Sequence, residues 1–161
     1  MLWIGSKKDS FLAILRDSYE AIPYGGIIIN IPPGGIVDSH PLYRTLAKTA
    51  AVAGWVALSI QPSSAAFDPA AKPQTSSASA RLDAAFDYMV SKGIENIVVV
   101  GEANGAEDAM NYIFQKASPT ISGFVGVGEW DAVLNEASIP ILDIACTRDQ
   151  GAVTLQNVRA E

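Results

Sequence analysis

The run Ile97-Val98-Val99-Val100-Gly101-Glu102-Ala103-Asn104-Gly105-Ala106 reads as a strand, a tight turn and the start of a helix. That frame carries nucleophiles. In the pattern G-x-S-x-G a hydroxyl stands third, on a strained strand-to-helix turn, and attacks carbonyl carbon. The third position here is Ala103. A methyl group cannot attack, so the segment keeps the frame and lacks the reagent.

The neighbouring residues offer less direct chemistry. Glu102 beside the turn is a candidate general base toward water, but a lone carboxylate over a helix start is also simply favoured by the helix dipole. Asn104 and Gly105 read as capping and close-packing residues. The single histidine, His40, needs a nucleophile and an acid beside it to act in a triad; without a serine at the turn it reads as a helix-capping or surface residue. Gly101 and Gly105 do not make a phosphate loop, since no Gly-Lys-Ser/Thr ending is present after them, and G-x-G-x-x-G is absent after an early strand. One cysteine and one histidine cannot build a zinc site within one chain. No metal and no cofactor are expected.

The elements that must position these residues alternate. Leu2–Ile4 is a short strand, and Phe11–Leu15 is either a strand or the start of a helix running to Tyr19. Gly25-Gly26 launches the β-branched run Ile27-Ile28-Ile29-Asn30-Ile31, typical of a strand covered on both faces. Pro32-Pro33-Gly34-Gly35 stops it. A helix runs from Leu42 to Val52, with Ser39 or His40 near its cap and Pro41 in its first turn. Trp55–Ile60 is a strand, Ser79–Ser91 a helix closing at Lys92-Gly93, and Ile97–Val100 the strand before the turn. A helix over Asn104–Lys116, a strand over Ile121–Val127 and a short helix over Trp130–Ala137 come next. The apolar run Ile141–Cys146 reads as a buried strand and makes Cys146 an inert core thiol. Gln150–Ala160 is the last candidate helix. Strands alternating with helices predict βαβ units, a mostly parallel sheet and a three-layer α/β/α domain.

Totals bound the function. At 161 residues the chain is one domain, 1–161, and it can bury a substantial core. Residues 61–78 form its one low-complexity, Pro- and Ser-rich stretch, read as a long loop. The 49% hydrophobic content and mean hydropathy of +0.21 exclude a disordered chain. A net charge of −6, with 11 scattered basic residues, excludes a nucleic-acid footprint. No apolar run approaches the roughly 20 residues that span a bilayer. Met1-Leu2-Trp3-Ile4-Gly5 has no basic region ahead of an apolar one, so no secretory leader is expected as written. The compartment is periplasmic if a leader preceded Met1 and cytoplasmic otherwise.

With the turn placed, the chain resembles the α/β-hydrolase superfamily and, more narrowly, the bacterial family DUF3530. The residues that carry the resemblance are Gly54-Trp55-Val56-Ala57-Leu58-Ser59-Ile60-Gln61-Pro62, Asn96 to Ala106, and Ile139-Pro140-Ile141-Leu142-Asp143-Ile144. The resemblance implies a shortened α/β-hydrolase fold and, for the superfamily, hydrolysis of esters or amides. It implies that Pro32–Gly35 stands where an oxyanion loop stands, with Gly34 and Gly35 keeping their N–H donors for an anion. It puts an acid just past a late strand, where Asp143 and Asp149 are candidates, and a histidine on a loop after the last strand. No histidine comes after Ala103, and fifteen residues remain after Cys146. The final strand and its histidine loop are therefore expected to be missing.

The expectation is a pseudo-hydrolase: a non-catalytic binding or assembly module with a degenerate elbow of Gly101, Glu102, Ala103, Asn104 and Gly105. His40 and Asp149 are weak catalytic candidates, and Gly34, Gly35, Glu102, Ala103 and Asn104 are the binding candidates. A strand over 141–146 would leave an apolar sheet edge, which predicts a homo-oligomer or a protein partner. The alternative is a hydrolase acting on esters or amides through a non-serine apparatus.

Overall fold

The computed structural model describes residues 1–6, 10–35, 37, 40–62, 77–116, 118–131, 138–151, 153 and 154. Seven strands among these residues form one sheet: β1 (Leu2–Ile4), β2 (Phe11–Arg16), β3 (Gly25–Asn30), β4 (Trp55–Ile60), β5 (Ile97–Glu102), β6 (Ile121–Val127) and β7 (Ile141–Ile144). Their order across the sheet is β1-β2-β4-β3-β5-β6-β7. β2 runs antiparallel to both β1 and β4, and every other pair is parallel. The segment that periodicity left open, Phe11–Leu15, is therefore a strand. Its partner residues on β1 and β4 supply a ladder that a helix there would forgo.

Among the described residues three helices cover the sheet: α1 (Pro41–Val52), α2 (Ala78–Ser91) and α3 (Asn104–Lys116). They lie on opposite faces because β3, β4 and β5 are apolar on both. Ile28, Leu58, Ile97 and Val99 pack with Leu82, Met89, Ala109 and Met110 of α2 and α3. Ile29, Ile31 and Ala57 pack with Tyr43, Ala47 and Ala50 of α1. The result is the expected three-layer α/β/α architecture with a mostly parallel sheet.

Two expectations change. Ser77 caps α2 through its hydroxyl, which accepts the Ala80 N–H at 3.2 Å, so the end of the 61–78 stretch belongs to a helix. Residues 63–76 of that stretch lie outside the described residues. The last strand stops at Ile144, and Cys146 is exposed, not buried in a core strand. The reason lies in its neighbour: β6 ends at Val127, paired with Ile144, and the Gly128 N–H then closes on the Ile144 carbonyl at 2.8 Å. Beyond that bond β7 has no ladder partner among the described residues. Of the two later candidate helices, 132–137 lies outside the described residues, while 150, 151, 153 and 154 are helical. No helix among the described residues is long and apolar enough to cross a membrane.

Candidate functional site at the β5–α3 turn

The turn after β5 is as sharp as its sequence implies. Among the described residues Ala103 is the only non-glycine with positive φ, at 48°. A left-handed conformation costs an L-residue about 1–2 kcal/mol, and such strain gathers at functional turns. The turn is held from both sides. Ala103 N–H donates to the Val127 carbonyl at 3.1 Å, and its own carbonyl accepts Ala106 N–H at 2.8 Å and Glu107 N–H at 3.2 Å. Those two bonds start α3.

The flanking glycines answer to close approach. A Cβ on Gly101 would stand 2.5 Å from Ala106 Cα, and one on Gly105 would stand 2.6 Å from the Asn30 carbonyl oxygen and 3.1 Å from Pro32 N. α3 thus presses its first turn against the ends of β3 and β5. Buried Asn30 completes the seam, its Nδ2 donating to the Gly105 carbonyl at 2.8 Å.

Glu102 is not an open carboxylate. It accepts a hydrogen bond from the hydroxyl of Tyr43, a buried residue of α1. Burial raises the Tyr43 pKa above its ordinary value, and the hydrogen bond and the charge of Glu102 raise it further. Below the pair lies a cavity of about 30 Å³, walled by Leu42, Leu46, Val100 and Val127 among others. It holds no more than a water-sized guest.

The loop after β3 departs from expectation. Gly34 has φ +87°, and the Gly35 N–H donates to the Pro32 carbonyl at 3.0 Å. Pro33 and Gly34 are then the central residues of a β-turn with proline at its second position and glycine at its third. One of the two donors credited to the loop is consumed by the turn itself. Gln61, just past β4, fixes the chain on the far side of that turn: its Oε1 accepts Val37 N–H at 2.9 Å and its Nε2 donates to the Gly35 carbonyl at 3.0 Å.

His40 is the N-cap of α1, its Nδ1 accepting Leu42 N–H at 3.3 Å. Its ring lies 5.2 Å from that of Tyr43, which connects it to the turn at one remove. Asp143 accepts Trp130 Nε1–H at 3.1 Å. Asp149 opens the C-terminal helical turn, donating its N–H to the Cys146 carbonyl at 2.9 Å and accepting Val153 N–H at 3.1 Å. Ser59 is buried in β4, and Ser63 and Ser64 lie outside the described residues. Among the described residues no three His, Cys, Asp or Glu side chains stand close enough to share a metal ion.

The structure therefore brings together Glu102, Ala103, Asn104, Gly105 and the Pro32–Gly35 turn, and it adds three residues that sequence reasoning missed: Asn30, Tyr43 and Gln61. Asn30 alone left a trace, as the one carboxamide inside an isoleucine run.

By sequence, the chain matches no protein-family model and no curated protein. By structure it is similar to XC6422 from Xanthomonas campestris, an α/β serine hydrolase without a lid, with a TM-score of 0.67 and 16% identity over 95% of this chain and 75% of that one. It is similar to ATU1826 from Agrobacterium tumefaciens, a putative α/β hydrolase, with a TM-score of 0.66 and 14% identity over 99% and 79%. Est1E from Butyrivibrio proteoclasticus matches with a TM-score of 0.59 and 13% identity over 78% of this chain; the chain spans about half of Est1E, 49% of its length. At these identities the likeness is one of fold, and that fold is α/β-hydrolase-like.

Proposed function

We propose that this chain is a non-catalytic α/β-hydrolase-like module that works by binding, through self-association or a protein partner. The observation that carries the reading is Ala103, which keeps the left-handed backbone of a nucleophile turn and presents a methyl group there. Glu102 supports it, since its carboxylate is already engaged by the Tyr43 hydroxyl. For the narrower DUF3530 resemblance the support is the sequence motifs alone.

The binding surface proposed is the β7 edge. β7 is last in the sheet among the described residues, and Leu142 and Ile144 are 56% and 44% exposed on one face of it. An apolar edge strand with open backbone groups invites another strand.

An ester panel with fluorophosphonate labelling, run on wild type and Ala103→Ser, tests the catalytic half. Neither turnover nor label is expected in wild type. Wild-type turnover that disappears in Glu102→Gln or His40→Ala would overturn the reading in favour of a non-serine hydrolase. Sedimentation of wild type and Leu142→Lys tests the binding half: association should weaken in the variant, and a wild type that stays monomeric and captures no partner contradicts it.

A further inference from the structure

Among the described residues, the larger hollows lie at the end of the sheet away from the β5–α3 turn, around the segment Asp17–Tyr24 that joins β2 to β3. One, of about 290 Å³, has an apolar floor of Leu15, Val56 and Ile94 and is bordered by Asp17, Glu20 and Lys92. It adjoins a second of about 370 Å³, which shares Pro23, Lys92 and Ile94 with it. Together they form a trough of the size that small-molecule sites have, apolar below with a few charges at the rim.

The trough is pre-formed. Its outer bank is pinned by Tyr19 N–H to the Ala51 carbonyl at 3.0 Å, Glu20 N–H to Ser18 Oγ at 2.9 Å, and Tyr24 N–H to the Gly54 carbonyl at 2.9 Å. Asn96 Nδ2 holds the Tyr24 carbonyl at 2.9 Å from the far side. Glycine at 54 makes room for this bank, because a Cβ there would stand 2.7 Å from the Tyr24 ring and 3.1 Å from Glu20 Cγ. A rigid bank spends little ordering entropy when a ligand arrives. Ile22 and Tyr24 stand along it, 83% and 66% exposed, which is more apolar surface than a mere connection between strands requires.

In the first hollow the charges are sorted: two carboxylates, Asp17 and Glu20, come from the β2–β3 segment, and Lys92 comes from the end of α2; the second hollow adds the carboxylate of Glu95 beside Lys92. Lys92 Nζ lies 5.6 Å from the centre of the Tyr88 ring. From this arrangement we infer that the trough binds a small amphoteric molecule of the α-amino acid class. Its ammonium group faces Asp17 and Glu20, its carboxylate faces Lys92, and an apolar side chain covers Leu15, Val56 and Ile94. The site is independent of the binding role proposed for β7 and of the β5–α3 turn.

Titration of the full chain with leucine, monitored by calorimetry and by backbone amide shifts, tests this. Saturable binding is expected, with the largest shifts in Ser18–Tyr24 and Lys92–Ile94. N-acetyl-leucine and leucinamide, each lacking one charge, should bind roughly tenfold more weakly, the loss expected when one charge-assisted hydrogen bond goes. Asp17→Asn combined with Glu20→Gln should erase the preference for leucine over its acetylated form, and Lys92→Met the preference over its amide. These side chains are exposed, so thermal melts should stay at wild-type values and confirm that each variant folds. No saturation with leucine, equal affinity for the capped analogues, or shifts centred on the β5–α3 turn would each overturn the proposal.

Discussion

The Tyr43 hydroxyl, carried on the inner face of α1, donates to the carboxylate of Glu102, the last residue of β5. The two residues stand 59 apart in the chain. Their bond locks the first helix to the turn that holds Ala103, and it occupies the acid that precedes Ala103 in the chain.

Replacing Tyr43 by Phe should therefore destabilise the fold by about 1–2 kcal/mol, as a partly buried hydrogen bond to a charged acceptor is lost. Urea denaturation at neutral pH measures it. A variant as stable as wild type would show that the bond contributes nothing net.

The same bond predicts an alkaline limb. Burial first, and then the bond to a carboxylate, raise the folded-state pKa of Tyr43, and Tyr112 is raised in the same way by burial and Asp83, to which it donates at 2.9 Å. A raised pKa means that the folded chain holds its proton longer than the unfolded chain does. The stabilisation is complete below the unfolded value of about 10 and is lost as pH climbs above it. Wild-type midpoints should fall from about pH 10 upward. Tyr43→Phe and Tyr112→Phe should each make that fall shallower.

Ala103 yields a prediction of opposite sign. Glycine relieves a left-handed conformation, though it also enlarges the unfolded ensemble, so Ala103→Gly should stabilise by about 0.5–1 kcal/mol net. A β-branched Val at the same position should destabilise. Thermal melts of the three proteins order them, and a destabilised Gly variant would show that the Ala103 methyl packs in a way that outweighs its backbone strain.

How far the sequence carried these conclusions depends on the range of the forces involved. The turn itself, the helix cap at His40 and the β-branched strands were legible because each is decided by a few adjacent residues. The bonds Tyr43–Glu102 and Asn30–Gly105 were not. They exist because the strand order sets β3 beside β5 and α1 over β3 and β4 with Tyr43 reaching the end of β5, and no local pattern states which side chains then meet. Gln61 reached the Gly35 and Val37 backbone for the same reason, since β4 lies next to β3. Cys146 was misplaced by reading an apolar run to its end, when the length of β7 is set by where β6 turns away at Gly128.

Gly105 tests how tightly α3 is seated. A methyl added there would meet the backbone of Asn30 and Pro32, and neither can swing aside as a side-chain tip can. Gly105→Ala should destabilise by about 1–3 kcal/mol through overpacking. Gly93→Ala, which meets no atom within 4 Å, separates this effect from backbone strain, because Gly93 has φ +77° and Gly105 has no positive φ. A Gly105→Ala variant as stable as wild type would mean that the Gly105 contact yields easily.

Asp108, one turn into α3, should govern the acid side. Burial raises its pKa above the ordinary value; the charge of Arg81 on α2 opposes this, and that of Glu107 adds to it. The folded chain thus binds this proton more readily than the unfolded chain does. The associated stability is fully present below about pH 3.8 and is lost as pH rises through the higher folded value. Asp108→Asn has no proton to exchange, so wild-type stability minus variant stability should fall as pH is raised above about 4. Taking the difference cancels titrations common to both proteins and isolates this one. At neutral pH the variant gains by losing a desolvated charge but removes one negative charge that offsets the buried guanidinium of Arg81, so the slope, and not the offset, is the test. Parallel curves over that range would mean that Asp108 is solvated well enough to titrate alike in both states, and that the α2–α3 seam buries no charge of consequence there.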